Sequence, residues 1–272
     1  MTLQERNRKS NALARRAIFL ILSTLLALAF LGAAGCRPKV VRIKLTTEDL
    51  VKSNAAAAEG DIAFTRKEYY PALVKYLKAA DYNPNSEFIF NKLGIVYSRL
   101  KYYADAITSF NRAIALQPKY AYAYNNLGSV YFAENNKKKA EKLFRKALSL
   151  YGNEASFYIN LGTVLFEKKK FDQGLQEYKK GLALDPEILR KNADAVVANI
   201  GTKISPDKNY HMARLYAILG DTERAVETLK QAITDGFVDL KAIQTEKDFD
   251  PIREDPKFVD FMKYASTLIN TP

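Results

Sequence analysis

The sequence predicts an all-α fold, a solenoid of stacked helical hairpins closed by a C-terminal capping helix, and three observations carry that expectation. A 34-residue pattern returns four times without a gap between Ser53 and Ile188. Each copy holds two apolar stripes at helical spacing, so each reads as two amphipathic helices. Past Asp255-Pro256, an N-cap and a first-turn proline, Phe258, Phe261, Met262, Ala265, Leu268 and Ile269 fall on one helical face.

At 272 residues and 26% charged, the chain is long enough to bury a core, and its composition excludes wholesale disorder. Residues 1–36 hold Arg6, Arg8, Lys9, Arg15 and Arg16 against Glu5, a net +4, so the formal charge of +12 leaves +8 beyond them. Such a balance suits acidic proteins, anionic lipid or nucleic acid alike.

Ala17 to Cys36 are 20 residues without a charge, and a helix of that length spans roughly 30 Å, about the hydrocarbon thickness of a bilayer. Basic residues precede the run, and Leu31-Gly32-Ala33-Ala34-Gly35 leads from it to the only cysteine, Cys36. This arrangement resembles a bacterial lipoprotein signal peptide, although Ala33 stands where that family most often has leucine. The resemblance implies cleavage before Cys36 and lipidation of Cys36. The residues equally allow an uncleaved signal anchor, with Cys36 as a small apolar residue at its end. Either reading tethers the chain to a membrane through its N-terminus, with the repeats in the periplasm of a bacterial cell envelope. Residues 37–52 read as a linker.

The repeats at 53–188 share one framework. The second copy shows it as Phe90, Leu93-Gly94, Tyr97, Ala106, Phe110, Ala113 and Pro118. The third has Tyr124, Leu127-Gly128, Tyr131, Ala140, Phe144 and Ala147, and the fourth has Tyr158, Leu161-Gly162, Leu165, Gly174, Tyr178, Gly181 and Pro186. The first is weaker at its start, Ala56, Glu59-Gly60 and Ala63, but regains the pattern at Ala72, Tyr76, Ala79 and Pro84. Small residues allow the two helices to approach, aromatic ones fill the space beside the crossing, and proline ends the second helix. A hairpin of this kind leaves apolar surface that only the next hairpin can cover. The framework is identified as the tetratricopeptide pattern, and the resemblance implies a right-handed superhelical solenoid.

Residues 189–205 break the phase. A degenerate fifth hairpin is expected over 206–239, with Met212-Ala213, Tyr216, Ala225, Leu229 and Ala232, a turn at Gly220-Asp221 and a glycine stop at Gly236. Residues 240–272 form the expected capping segment. Tyr210 to Phe258, with Gly236-Phe237 and Phe249-Asp250-Pro251, resembles the segment that closes many bacterial tetratricopeptide arrays.

Nucleophilic or metal chemistry needs clustered histidine, cysteine or carboxylate groups, and His211 stands far in sequence from Cys36. Asp248, Asp250, Glu254 and Asp255 lack the spacing and central glycine of a calcium loop, and they suit turn and cap duty. Ser98 and Lys101 have an acyl-enzyme spacing without that family's other motifs, and no glycine-rich phosphate loop is present. The expectation is a protein that is not an enzyme, with no catalytic residues, metal or cofactor. Most of the 17 tyrosines sit on framework positions, so neither nucleic acid nor a small-molecule substrate is expected as partner.

Two features could bind. One is the face of each leading helix displaced by roughly 80° or more from the framework stripe, which lines the concave groove in the solenoids this pattern resembles. It carries Phe88, Asn91, Ile95 and Arg99 in the second repeat, Tyr122, Asn125, Ser129 and Phe132 in the third, and Ile159, Thr163 and Phe166 in the fourth. Relatives that clamp a peptide's carboxylate carry lysine and asparagine four apart in the first repeat, where this chain has Ala57 and Asp61. The other feature is a basic edge at the hairpin turns: Arg66, Lys67, Lys101, Lys137, Lys138, Lys139, Lys168, Lys169 and Lys170. Lys138 and Lys139 open a helix, where the dipole disfavours each cation by about 0.3 to 1 kcal/mol. The function expected is a membrane-anchored interaction scaffold that holds a protein or peptide in its groove during assembly of an envelope complex. Bacterial lipoproteins of this layout include secretin pilotins and accessory factors of outer-membrane protein insertion. The alternative is an accessory subunit that presents substrates to a cell-wall or glycan enzyme.

Overall fold

The computed structural model describes residues 41–189, 205–237 and 239–269, with the side chains of Leu268 and Ile269 excepted. The expected leader with Cys36, and residues 190–204 of the expected phase break, lie outside them. Every regular element among the described residues is helical, and the hairpins all belong to the unit Lys44–Pro272. Helices α1 (Thr47–Thr65) and α2 (Tyr69–Tyr82) form the first hairpin, and α3 (Glu87–Arg99) and α4 (Tyr103–Leu116) the second. The third is α5 (Ala121–Ala133) with α6 (Lys137–Leu150), the fourth α7 (Ala155–Glu167) with α8 (Phe171–Leu184), and the fifth α9 (Pro206–Ile218) with α10 (Thr222–Thr234). A short α11 (Leu240–Thr245), a 3-10 turn (Lys247–Ile252) and α12 (Pro256–Ile269) follow.

Each of the first four hairpins closes on the same contact. A leading-helix glycine lies against a ring of the second helix: Gly60 on Tyr76, Gly94 on Phe110, Gly128 on Phe144 and Gly162 on Tyr178. A Cβ at Gly128 would sit 2.7 Å from the Phe144 ring, so alanine there would force the helices apart. The turns repeat as well. Lys67, Lys101, Asn135 and Lys169 take left-handed φ values of 61°, 63°, 60° and 58°, and Gly220 takes 70° in the fifth hairpin. The next amide then bonds back to the leading helix, as in Tyr102 N–H to Tyr97 O (2.8 Å) and Asp221 N–H to Tyr216 O (3.0 Å).

One boundary differs from expectation. Residues 47–52, read as linker, belong to α1, because Thr46 and Asp49 form a capping box and no breaker follows. At the other end the capping segment closes the stack as its stripe implied: Ile243, Phe249, Ile252, Phe258, Phe261 and Ala265 share one core with Tyr210, Tyr216 and Leu229. That core reaches back to Ile159 and Tyr178, so the fourth and fifth hairpins are packed as one body.

Candidate functional site: the amide and aromatic rows of the second and third hairpins

Two rows of side chains link α3, α5 and the start of α7. The first is a chain of amides. Asn160 Nδ2 donates to Asn125 Oδ1 (2.9 Å), Asn125 Nδ2 to Asn126 Oδ1 (3.5 Å), and Asn126 Nδ2 to Asn91 Oδ1 (3.0 Å). An amide carries two donor hydrogens and two acceptor lone pairs, so each member of the row keeps hydrogen-bonding capacity after its neighbours are served. Asn91 and Asn125 are buried, whereas Asn126 and Asn160 are half-buried and present that capacity to solvent.

The second row is aromatic. Phe88 meets Tyr120 edge-on at 5.3 Å, Tyr120 meets Tyr122 at 6.0 Å, and Tyr122 meets Tyr151 at 6.2 Å and the buried Phe157 at 5.3 Å. Phe88 keeps 56% of its surface exposed and Tyr122 41%, although both are anchored by these contacts. Tyr122 donates its hydroxyl to Glu154 (3.0 Å); burial and this bond push its pKa up. Burial and Glu87 push the Tyr120 hydroxyl up to about 12, so both rings stay neutral near pH 7.

Of the expected groove residues, Phe88, Arg99, Tyr122 and Ser129 are exposed or half-exposed on this face, and Ile95 and Phe132 are half-buried beside it. The fourth hairpin departs. Ile159, Thr163 and Phe166 are core residues, not groove residues. Ile159 lies against Gly181, Phe166 against Gly174, and Thr163 pairs with the Tyr178 hydroxyl (3.0 Å) and donates to Ile159 O (2.9 Å). The physical reason is in α8, where glycines replace the alanines of the preceding repeats and leave room for the Ile159 and Phe166 side chains, while the Tyr178 hydroxyl takes Thr163. Asn126, Asn160, Tyr120 and Tyr151 were not among the expected residues. The amides could have been found from a spacing of 35, one residue longer than the repeat, which links Asn91 to Asn126 and Asn125 to Asn160.

The basic edge is two edges. In the third and fourth hairpins the cations are paired: Lys137 with Glu167 (2.9 Å), Lys168 with Glu141, Lys170 within 4.0 Å of Glu141, and Lys139 over the Tyr131 ring (4.7 Å). Burial raises the Glu141 carboxyl, but hydrogen bonds from Lys168 and Arg145 outweigh it and hold the group below its ordinary range. Arg66, Lys67 and Lys101 are exposed at the first two turns, and Lys138 and Lys169 stand at the surface among the paired cations.

His211 belongs to a different structure, a charged joint between the fourth and fifth hairpins. Its ring stacks on Phe171 at 4.7 Å, and Arg214 Nη1 approaches Nδ1 at 2.9 Å. Burial, then Arg214, pushes it down to about 4. Arg214, itself 8% exposed, bonds Asp172 (2.7 Å), Asp248 (3.0 Å) and Glu246 (3.1 Å), and Lys179 also pairs with Asp248. The remaining acids of that region serve as turn and cap groups, Asp250 toward Arg253 and Asp255 toward Thr222 and the Lys257 amide. Among the described residues no group of three histidine, cysteine, aspartate or glutamate side chains is placed to hold a metal.

Residues 87–153 match one model of the tetratricopeptide repeat, and residues 155–188 and 209–234 match another. The chain carries tetratricopeptide repeats. The matches coincide with α3 to α6, α7 with α8, and α9 with α10, so the degenerate fifth hairpin is included. Among solved structures, a crystal structure of MamA is 25% identical, covering 65% of this chain and 93% of that one, with a TM-score of 0.45. TTC0263, a thermophilic tetratricopeptide protein of Thermus thermophilus, is 16% identical over 79% of this chain and 97% of its own, with a TM-score of 0.49. YrrB, described as a tetratricopeptide protein with an unusual peptide-binding site, is 19% identical over 74% and 94%, with a TM-score of 0.45. No curated protein matches the chain.

Proposed function

We propose that this protein is a membrane-anchored, non-enzymatic scaffold that holds an extended segment of a partner protein across the concave face of α3 and α5 and so assists assembly of an envelope complex. The observation that carries this reading is the pair of rows. Amides with spare donors and acceptors complement the alternating N–H and C=O groups of an extended backbone, and half-exposed rings beside them receive apolar side chains. Anchored rings lose little entropy on binding, which favours them as dominant contacts. The N-terminal tether rests on the uncharged run that ends at Cys36.

The test is partner retention by the full chain from detergent-solubilised membranes, compared with Phe88→Ala and Tyr122→Ala forms whose helical content is unchanged. Each substitution is expected to cost about 2 kcal/mol, roughly thirtyfold in affinity. Retention of the same partner by both variants at wild-type strength would remove the groove from consideration. Intact-mass measurement of the membrane form tests the tether: loss of residues 1–35 plus added lipid supports lipidation of Cys36, and an unmodified full-length chain leaves the signal anchor.

A further inference from the structure

The first two hairpin turns carry the same short pattern, Arg66-Lys67-Glu68-Tyr69-Tyr70 and Arg99-Leu100-Lys101-Tyr102-Tyr103. Stacking brings them side by side, and the Tyr70 and Tyr102 hydroxyls meet at 3.0 Å. Both rings are open to solvent, Tyr70 at 60% and Tyr102 at 43%, and Val74, one turn beyond Tyr70, is 62% exposed. The third turn, Glu134-Asn135-Asn136, has neither the tyrosines nor the arginine. At the third and fourth turns Lys137, Lys168 and Lys170 meet Glu141 or Glu167, whereas Arg66, Lys67, Arg99 and Lys101 are exposed and outnumber the neighbouring acids Glu68 and Asp105.

We propose that this tyrosine and cation patch on the first two turns is a docking surface for an anionic phospholipid bilayer, holding the solenoid against the membrane by its first two hairpins. Three properties favour a bilayer over an acidic polypeptide. The pattern joins basic side chains to amphipathic rings and an exposed aliphatic residue, the composition that settles at the headgroup level. Tyr70, Tyr102 and Val74 all lie open to solvent, as a surface that rests against a plane requires. The ten residues between Cys36 and Thr47 reach at most about 35 Å when extended, and α1 is roughly 28 Å long, so a tether at Cys36 lets the turn at Arg66 return to the surface. This inference is independent of the groove, since Phe88 and Tyr122 lie on another face.

The chain contains no tryptophan, so Tyr102→Trp in the full-length protein gives a single emission to follow. The protein is reconstituted into vesicles of phosphatidylcholine alone, or with about one third phosphatidylglycerol, each with brominated acyl chains. The expected result is a blue-shifted, quenched emission in the anionic vesicles only, reversed by high salt. Adding Lys67→Gln and Lys101→Gln should weaken the contact by roughly twenty-fivefold, at about fivefold per surface cation. Tyr264→Trp on α12, where Tyr264 is 53% exposed, serves as reference and should stay unquenched. Tyr70→Trp repeats the measurement if the first reporter disturbs the fold. Solvent-like emission from both turn reporters in anionic vesicles would overturn the proposal. So would equal quenching in neutral vesicles, equal quenching of the reference, or a shift produced by soluble polyglutamate and not by vesicles. Partner retention by the groove is not expected to change in any of these variants, so failure here and failure of the groove reading are separable.

Discussion

The third and fourth hairpins share one framework and end in opposite states. In the third, α6 carries Ala140 and Ala147, and Tyr122 and Ser129 of the leading helix are exposed. In the fourth, Gly174 and Gly181 remove those methyl groups, and Ile159, Thr163 and Phe166 drop into the core around Tyr178. At the repeat position of Ile159 the third hairpin has Asn125, which is buried too, so the change falls on the positions of Thr163 and Phe166, where the third hairpin has the exposed Ser129 and the half-buried Phe132. The charged groups divide in the same way: beside the fourth hairpin they are locked into pairs and the Arg214 joint, while at the first two turns they face solvent. The molecule reads as a rigid C-terminal body that carries an open N-terminal working surface.

The largest expected effect comes from breaking the joint. Asp248 is 3% exposed at its side chain and serves Arg214 and Lys179 together, so Asp248→Ala leaves a buried guanidinium short of a partner. Removing one member of such a pair typically costs about 3 to 5 kcal/mol. Urea unfolding followed by hydrogen exchange should place that loss in α8 to α12 and leave α1 to α4 protected as before. A uniform loss of protection would mean that the two bodies unfold as one.

A second substitution attacks the comparison itself. A Cβ at Gly181 would lie 2.7 Å from Ile159 Cδ1 and 3.2 Å from the Ala155 carbonyl oxygen. Gly181→Ala should therefore displace Ile159 and cost about 1 to 3 kcal/mol of stability. A crystal structure or methyl NMR of Ile159 reads the displacement directly; an unmoved Ile159 would show that the glycine is not what makes room for it.

Why this was only partly legible in the sequence follows from range. The Gly94 and Phe110 pairing and its copies sit at fixed spacing inside one hairpin, so periodicity revealed both the helices and their contact. Ile159, Thr163 and Phe166 occupy the repeat positions of Asn125, Ser129 and Phe132, and the space that Ile159 and Phe166 fill is left by Gly181 and Gly174 in the following helix. Lys168 and Lys170 look free until stacking brings Glu141 across from the preceding hairpin. The start of α1 was hidden differently: its first turns, Thr47 to Asn54, lack an apolar period, and only the Thr46 and Asp49 box marks the entry.

The rigid body should also respond to acid through His211. Its folded pKa is lowered to about 4, chiefly by burial and then by Arg214, against about 6.5 in the unfolded chain. Between those values the unfolded state binds the extra proton, so stability rises with pH across that window and is lost as pH falls from 6.5 toward 4. At pH 7 both states are neutral and nothing is lost. Unfolding midpoints of His211→Gln should show a shallower slope between about pH 6.5 and 4 than the wild type; an unchanged slope would assign the acid response to the carboxylates of the joint.

The smallest effect separates conformational cost from use. Lys67, Lys101 and Lys169 all occupy the left-handed turn position that Gly220 fills in the fifth hairpin. A residue with a Cβ at such a φ is disfavoured relative to glycine by about 1 kcal/mol, so each Lys→Gly replacement should raise stability by roughly that amount. The three gains should be alike, because the backbone is alike. Their effects on membrane contact should not be. Lys169 stands at a turn whose neighbours are paired with acids, so Lys169→Gly should stabilise the fold and leave the emission of the Tyr102→Trp reporter in anionic vesicles unchanged. Lys67→Gly should stabilise it equally while removing one of the exposed cations beside Tyr70, which weakens vesicle binding by about fivefold. If Lys67 and Lys169 behave identically in both measurements, the first turn holds no special surface, and its lysine is there for solubility alone.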